Sequence, residues 1–342
     1  MMNRKPYVTT EGKVIYGSFK VILDAIIRDH NGRTANDRRN SRAKTRAERA
    51  QKIRKAFEDL AGLGYRLADP RNLGERHVIA LVKKWEDDGL SPSSIQNRLS
   101  FLRTFSRWIG KAGMVKVSEH YSDRARRTLV AKKDLSWSGN GVDFEKVLAE
   151  VAKDDPHVAI QMELQRYFGM RREESWLFRP HLDDRGHAIL LERGTKGGRP
   201  RMVPVETDKQ REVLERAKTF AKTPNASTIP TTRTLKSWRD HYEHLMSKHG
   251  ITRKGLGVTS HGLRHEYMQE RYLELTGKPV PIKGGTVDGS EKLARLQVCA
   301  ELGHNRVGIT SAYGGSFKHQ SSSNTNQTKE QHHAREEYTP HD

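Results

Sequence analysis

Gly169-Met-Arg171-Arg-Glu-Glu174, Gly194-Thr-Lys196-Gly-Gly-Arg199-Pro-Arg201, His261-Gly-Leu-Arg264-His265 and Leu302-Gly-His304 follow one another in the C-terminal half, with Tyr313 nine residues beyond the last. Arginines, a lysine, histidines and a tyrosine in one ordered set suit one chemistry, transfer at a phosphodiester without a metal. Such a reaction builds negative charge on the phosphoryl oxygens, and fixed cations must stabilise it. Arginine suits that task because its planar fork donates two hydrogen bonds and stays charged. A phenol titrates near 10, so a tyrosine nucleophile needs a base or a cationic pocket. Each piece alone has a plainer reading: surface arginines are common, and nine other tyrosines are present.

In residues, order and spacing the set resembles the tyrosine recombinases, the phage-integrase family. The family motif places its catalytic arginine directly after an apolar residue, which selects Arg171 over Arg172, with Glu174 three residues on to orient or buffer it. The resemblance implies that Arg171 and Arg264 clamp the phosphate and Tyr313 attacks it. His304 bonds a phosphoryl oxygen and seats the tyrosine, and His261 accepts or relays its proton, as an imidazole titrating near neutrality can. Lys196 protonates the departing 5′ oxygen, and His265 is a supporting buried polar residue. It further implies a 3′-phosphotyrosine intermediate that needs no cofactor, metal or ATP. Double-stranded DNA attachment sites, a DNA-dependent homotetramer and accessory bending or directionality factors follow as partners, and a phage or other bacterial mobile element as source. A type IB topoisomerase-like relaxase shares the chemistry, and a non-catalytic DNA-binding protein is the alternative without it.

Outward from this set the chain reads as mainly α with a small β-sheet, a helical core-binding (SAM-like) domain preceding a mixed α/β catalytic domain. Ala188 to Leu191 and Met202 to Val205 are β-rich runs separated by Gly194-Thr-Lys-Gly-Gly198, a hairpin with Lys196 near its tip. Asp155-Pro156 starts a helix with Ile160, Leu164 and Phe168 on one face. Residues 43–135 hold the helical domain, with Ala50, Ile53, Phe57 and Leu60 on one helix and Val78, Leu81, Val82 and Trp85 on another. Ser91-Pro92 supplies an N-cap and a first-turn proline for a helix burying Ile95, Leu99, Leu102 and Ile109. Arg98, Arg103, Arg107 and Lys111 make the rest of that helix basic, a solvated face or a DNA contact. The pattern from Ser91 through Trp108 resembles the family's core-binding domain and selects DNA. Arg199 and Arg201 are read as further backbone contacts.

Residues 1–42 read as a basic leader or arm, with one amphipathic piece near Phe19 to Ile27. Residues 116–142 read as the linker, 143–318 as the catalytic domain and 319–342 as a polar, disordered tail. The Gly/Pro/Lys-rich stretch 276–292 is long for its place, either a contact or a plain loop.

Composition agrees. Lys and Arg outnumber Asp and Glu by 62 to 42, a net charge of +20 that favours a polyanionic partner. No apolar run approaches the roughly 20 residues that span a bilayer, so no membrane role is expected. Val21 to Ile27, broken by Asp24, lacks the shape of a signal peptide. Cys299 is the only cysteine, which rules out an internal disulfide and reads as a packed small hydrophobe. His261 and His265 are four apart on a helix, a zinc spacing, but no glutamate of the zincin pattern accompanies them and no metal is expected. The setting read from this is cytoplasmic, on the bacterial nucleoid when DNA is bound.

Overall fold

The computed structural model describes residues 5–32, 43–126, 128–195 and 199–318, with the backbone alone at Ala125. Lys196 and the tail beyond residue 318 lie outside the described residues, as does the 33–42 part of the expected leader. The chain divides into two compact units, Met1–Thr128 and Leu129–Asp342.

The first unit carries β1 (Tyr7–Val8), β2 (Val14–Ile15), α1 (Phe19–His30), α2 (Ala43–Gly62), α3 (Glu75–Asp87), α4 (Pro92–Trp108) and α5 (Ser118–Tyr121). Its core joins Ile22 and Ile26, Ile53, Phe57 and Leu60, Val78, Leu81 and Trp85, and Leu99, Leu102 and Phe105. Helical spacing selects those on α2 and α3 and Leu99 and Leu102 on α4, whereas Ile109, expected to be buried with them, is half-buried just past the end of α4 and Phe105 is buried instead. Phe57 meets Phe19 and Phe105 edge-on, each at 5.3 Å. At the start of α4 the Ser91 hydroxyl accepts from the Ser94 amide at 3.3 Å, a cap of the kind that contributes about 1 kcal/mol.

Two expectations change here. Residues 5–32 are not a leader; they fold as part of the first unit. Asp24, which interrupts the apolar run in sequence, lies on the outer side of α1 and pairs with Arg54 at 2.8 Å, while Ile22, Leu23, Ile26 and Ile27 turn inward. The hydroxyl of Tyr7 ties the hairpin to Asp29 on α1. Two-residue strands are too short to show an alternation in sequence.

The second unit carries α6 (Phe144–Asp154), α7 (Pro156–Phe168), α8 (Arg172–Leu177), α9 (Pro180–Asp183), β3 (Ala188–Leu191), β4 (Arg201–Pro204), α10 (Asp208–Phe220), α11 (Leu235–Lys248), α12 (Ser260–Thr276), α13 (Lys292–Glu301) and α14 (Ser311–Gly314). α7 is central and packs against α6, α8, α10 and α12. Its start is capped by Asp155, which accepts from the amides of His157 and Val158. β3 and β4 pair antiparallel, Ile189 opposite Val203 and Leu191 opposite Arg201, one residue earlier than the expected second strand. Among the described residues no helix is long and apolar enough to cross a membrane.

The second change concerns the linker. Residues 129–142 belong to the second unit. Trp137 is buried there, and its indole N–H donates to the carbonyl of Thr259 at 3.0 Å. The 276–292 stretch is likewise packed: Val280 is buried, and a Cβ added to Gly315 would lie 3.0 Å from the amide nitrogen of Ile282.

Candidate active site

α7 stops at Gly169, whose φ of +56° turns the chain, and a Cβ there would meet the Tyr267 ring at 2.4 Å. The turn sends Met170 into the core and leaves Arg171 as the residue capping α8. One turn on, the Glu174 carboxylate reaches back to the Arg171 amide at 2.6 Å and to its Nη1 at 2.7 Å. Arg201 grips the same carboxylate with Nη1 and Nη2, each at 2.6 Å. Burial would push the Glu174 carboxyl up, but Arg201, then Arg264 and Arg171, hold it down at about 2.

Arg264, on α12, is 0% exposed. Its Nη1 donates to the carbonyl of Gly169 and its Nη2 to that of Leu302. Arg171 Nη2 donates to the same Leu302 carbonyl at 3.1 Å. That oxygen sits at the end of α13, where carbonyls lack helical partners, and so both arginines share one anchor. Burial, with repulsion from Arg171 and Arg201, lowers Arg264 to about 10, which still leaves it cationic at neutral pH.

Tyr313, on α14, is 6% exposed. Its hydroxyl lies 3.4 Å from Arg264 Nε and 3.2 Å from His304 Nε2. Arg264 Nη2 approaches that same His304 nitrogen at 3.3 Å. A guanidinium can only donate, so the His304 tautomer with an unprotonated Nε2 suits both contacts. His265 lies against the Tyr313 ring at 4.6 Å. It is buried, its Nδ1 has no partner, and burial first, then His261 and Arg264, pushes its imidazole down to about 3. His261 stands further off, 6.2 Å between ring centroids, and is exposed. Lost hydration on its protein side, with Arg264, Arg171 and Arg172 nearby, lowers it to about 4; an anion bound among those arginines relaxes the last three effects.

Arg171, Glu174, Arg264, His265, His304 and Tyr313 are therefore gathered in one place, with His261 at its margin. The hairpin expected to present Lys196 is formed by β3 and β4. Two guanidiniums bond the Glu174 carboxylate and that of Arg264 stands near it without bonding it, and the excess positive charge suits a phosphate.

Arg201 is the clear correction. It is 7% exposed, and its Nε donates to the Glu301 carbonyl at 2.7 Å, so all of its bonds go inward and none to DNA. Arg199 is exposed. In the first unit, Arg98 lies over the Trp85 ring at 5.1 Å and 3.5 Å from Asp59, a packed position. Lys111 donates to the Leu73 carbonyl at 2.8 Å. Arg107 is exposed, and Arg103 lines an open polar groove of about 660 Å³ with Ser94, Asn97, Ser100 and Ser118. Among the described residues no three His, Cys, Asp or Glu side chains are grouped to hold a metal. Cys299 is buried against the carbonyls of His304 and Arg306.

Residues 136–270 match the family model described as "Integrase", and residues 33–115 match "Phage integrase, N-terminal". No curated protein matches the chain significantly in sequence. Among solved structures, a lambda integrase dimer bound to a COC′ core site aligns with a TM-score of 0.58 at 17% identity, over 87% of this chain and 77% of that one. A lambda integrase tetramer bound to a Holliday junction aligns with 0.58 at 16%, over 87% and 77%. The Tn1549 transposon integrase in complex with transposon right end DNA aligns with 0.57 at 13%, over 86% and 95%. At these identities the likeness to solved structures is one of fold. Fold and family models together define a tyrosine-type site-specific DNA recombinase. The chain belongs to the phage-integrase family.

Proposed function

We propose that Tyr313 is the nucleophile of this recombinase. The observation that carries the reading is the Tyr313 hydroxyl placed between Arg264 and His304, at 3.4 and 3.2 Å. The phenol oxygen attacks the scissile phosphorus and forms a 3′-phosphotyrosine, while the bond from phosphorus to the 5′ oxygen breaks. Arg171 and Arg264 bind the phosphoryl oxygens as charge builds on them. His304 takes the phenol proton, a role favoured by its 3.2 Å contact with the Tyr313 hydroxyl, and His261 bonds a phosphoryl oxygen from the margin. Lys196, by resemblance, delivers a proton to the departing 5′ oxygen. The phosphate ester conserves the bond energy, so a 5′ hydroxyl from a second duplex reverses the attack and joins the strands. Four copies act on two double-stranded DNA attachment sites in the service of a mobile element, in the bacterial cytoplasm, where accessory DNA-bending or directionality factors are further candidate partners.

A nicked duplex built from the junction of the element that carries the gene tests this. It should trap the chain on a 3′ phosphate, and Tyr313→Phe should bind equally well and trap nothing. An adduct that survives the substitution rejects Tyr313. Joining between two duplexes separates a recombinase from a relaxase of supercoils.

A further inference from the structure

Tyr313 sits on a helix of one turn, α14, closed by Gly315 at a φ of +89°. A single turn gains little from its own hydrogen bonds, so its position depends on what holds it from outside. Two connections come from one place, the segment 131–141 that opens the second unit. The Ala131 amide donates to the Ser311 carbonyl at 2.8 Å, two residues before the tyrosine. The Gln269 side-chain amide, on α12, donates to Asp134 Oδ1 at 2.8 Å and to the Tyr313 main-chain carbonyl at 3.2 Å.

The join is buried and directional. Gln269 is 3% exposed, and its Oε1 has no partner. Reversing the amide would set that oxygen against a carboxylate and a carbonyl, so the two acceptors fix which way it points. Asp134 also accepts from the Ser136 amide at 2.9 Å, with Lys283 at 3.9 Å. The segment is itself fitted closely to α12. Ser138 bonds Glu266 through both its amide and its hydroxyl. A Cβ on Gly262 would lie 2.5 Å from the Leu135 carbonyl, and one on Gly139 would lie 2.0 Å from Asp134 Oδ2. At both glycines the chain passes too close to a neighbour for any side chain to fit.

We propose that Asp134 and Gln269 are positioning residues for strand cleavage: through the Tyr313 carbonyl they seat the turn that carries the nucleophile, and so fix the reach of the phenol to the scissile phosphate. Neither side chain touches DNA in this role. The inference rests on Tyr313 being the nucleophile. Misplacing a reacting group by about 1 Å can cost about 10²-fold in rate.

The test uses the full chain and the nicked junction duplex. With DNA saturating, Gln269→Leu should slow adduct formation by about 10²-fold. DNA affinity should stay within about twofold, because no phosphate contact is removed. Amide hydrogen exchange in the DNA-free protein should quicken at residues 309–315 and remain unchanged in α7. Asp134→Asn keeps the acceptor and should retain the wild-type rate within a few-fold, whereas Asp134→Ala should behave as Gln269→Leu does. Should Gln269→Leu fail to fold, the Asp134 pair carries the test. Wild-type adduct formation in Gln269→Leu, equal rates for the two Asp134 variants, or unchanged exchange at 309–315 overturns the proposal. An adduct that persists in Tyr313→Phe instead overturns the nucleophile assignment, so the two failures are distinct.

Discussion

Replacing Arg201 with methionine keeps the apolar stem and deletes the guanidinium, which separates a DNA contact from a structural clamp. The structure predicts a clamp. Arg201 holds Glu174 at 2.6 Å through two nitrogens and the Glu301 carbonyl at 2.7 Å through a third. Glu174 lies at about 2 instead of the ordinary 4.5, against the upward push of burial, with Arg201 the main lowering influence. That shift corresponds to about 3 kcal/mol favouring the ionised form. Removing one partner of a buried ion pair costs about 3–5 kcal/mol, because the other charge stays behind. Urea unfolding should therefore show the second unit weakened by about that amount at pH 7. Tryptophan fluorescence can follow it, since Trp137, Trp176 and Trp238 are buried there. The pH profile should change as well. Glu174 has a depressed folded value, so its contribution is complete above about pH 4.5 and is lost as pH falls toward 2. Without Arg201 that acid-side loss should shrink. The log–log slope of DNA binding against salt should not change, whereas a lost phosphate contact would reduce it by about 0.9. Stability within about 0.5 kcal/mol of wild type, as for an ordinary surface substitution, together with that reduced slope would refute the clamp.

Further outcomes follow from the same geometry. His265 is held neutral, its folded value lowered to about 3 from 6.5, so its contribution is complete above about pH 6.5 and falls as pH drops. Between pH 6.5 and 5 it should cost wild type about 2 kcal/mol in urea unfolding, a loss that His265→Asn should not show. Lys196→Ala should slow cleavage by about 10²–10⁴-fold if the lysine is the general acid. A duplex with sulfur replacing the bridging 5′ oxygen should rescue Lys196→Ala but not Arg171→Ala or Arg264→Ala, because a thiolate leaves without a proton. Equal rescue of all three in single-turnover gels would reassign the lysine to a backbone contact. DNA affinity of the full chain should fall steeply with salt, at about −0.9 in log–log slope per neutralised phosphate. A flat response in a filter-binding titration points to a different partner.

Two pieces of the candidate site were legible in local spacing: Arg171 and Glu174 share one turn of helix, and His261, Arg264 and His265 share another. That these two turns meet each other and His304 and Tyr313 was expected from the family resemblance alone, because no spacing links segments so far apart in sequence. The burial of Arg201 was legible only in part. In a basic run such as Arg199-Pro-Arg201 an inward and an outward arginine look alike. Yet strand periodicity puts Arg201 on the same side as Val203, which is 0% exposed, and that alternation was the available signal. The segment 131–141 gave no signal of either kind. Its place depends on Trp137 meeting Thr259 and Asp134 meeting Gln269, contacts between residues more than 100 positions apart. The same holds for residues 5–32, whose apolar side finds its partners on α2 and α4 only after folding.

Much of what steadies the two central arginines is main chain. Arg264 is held by the carbonyls of Gly169 and Leu302, and Arg171 shares the second of these. A carbonyl oxygen is supplied by any amino acid, so long as the helix ends where it does. Substitution at position 302 that preserves the end of α13 leaves the anchor in place, whatever side chain arrives. The geometry of the cation pair is thus inherited through backbone course, and a lineage can replace much of the surrounding sequence while keeping it. What such a lineage cannot replace cheaply are the glycines beside those carbonyls: Gly169 against the Tyr267 ring, and Gly303, φ +63°, where a Cβ would lie 2.9 Å from the Arg201 side chain. Drift around this site is therefore channelled, permissive at the Leu302 anchor and strict at Gly169 and Gly303, where the chain passes close to its neighbours.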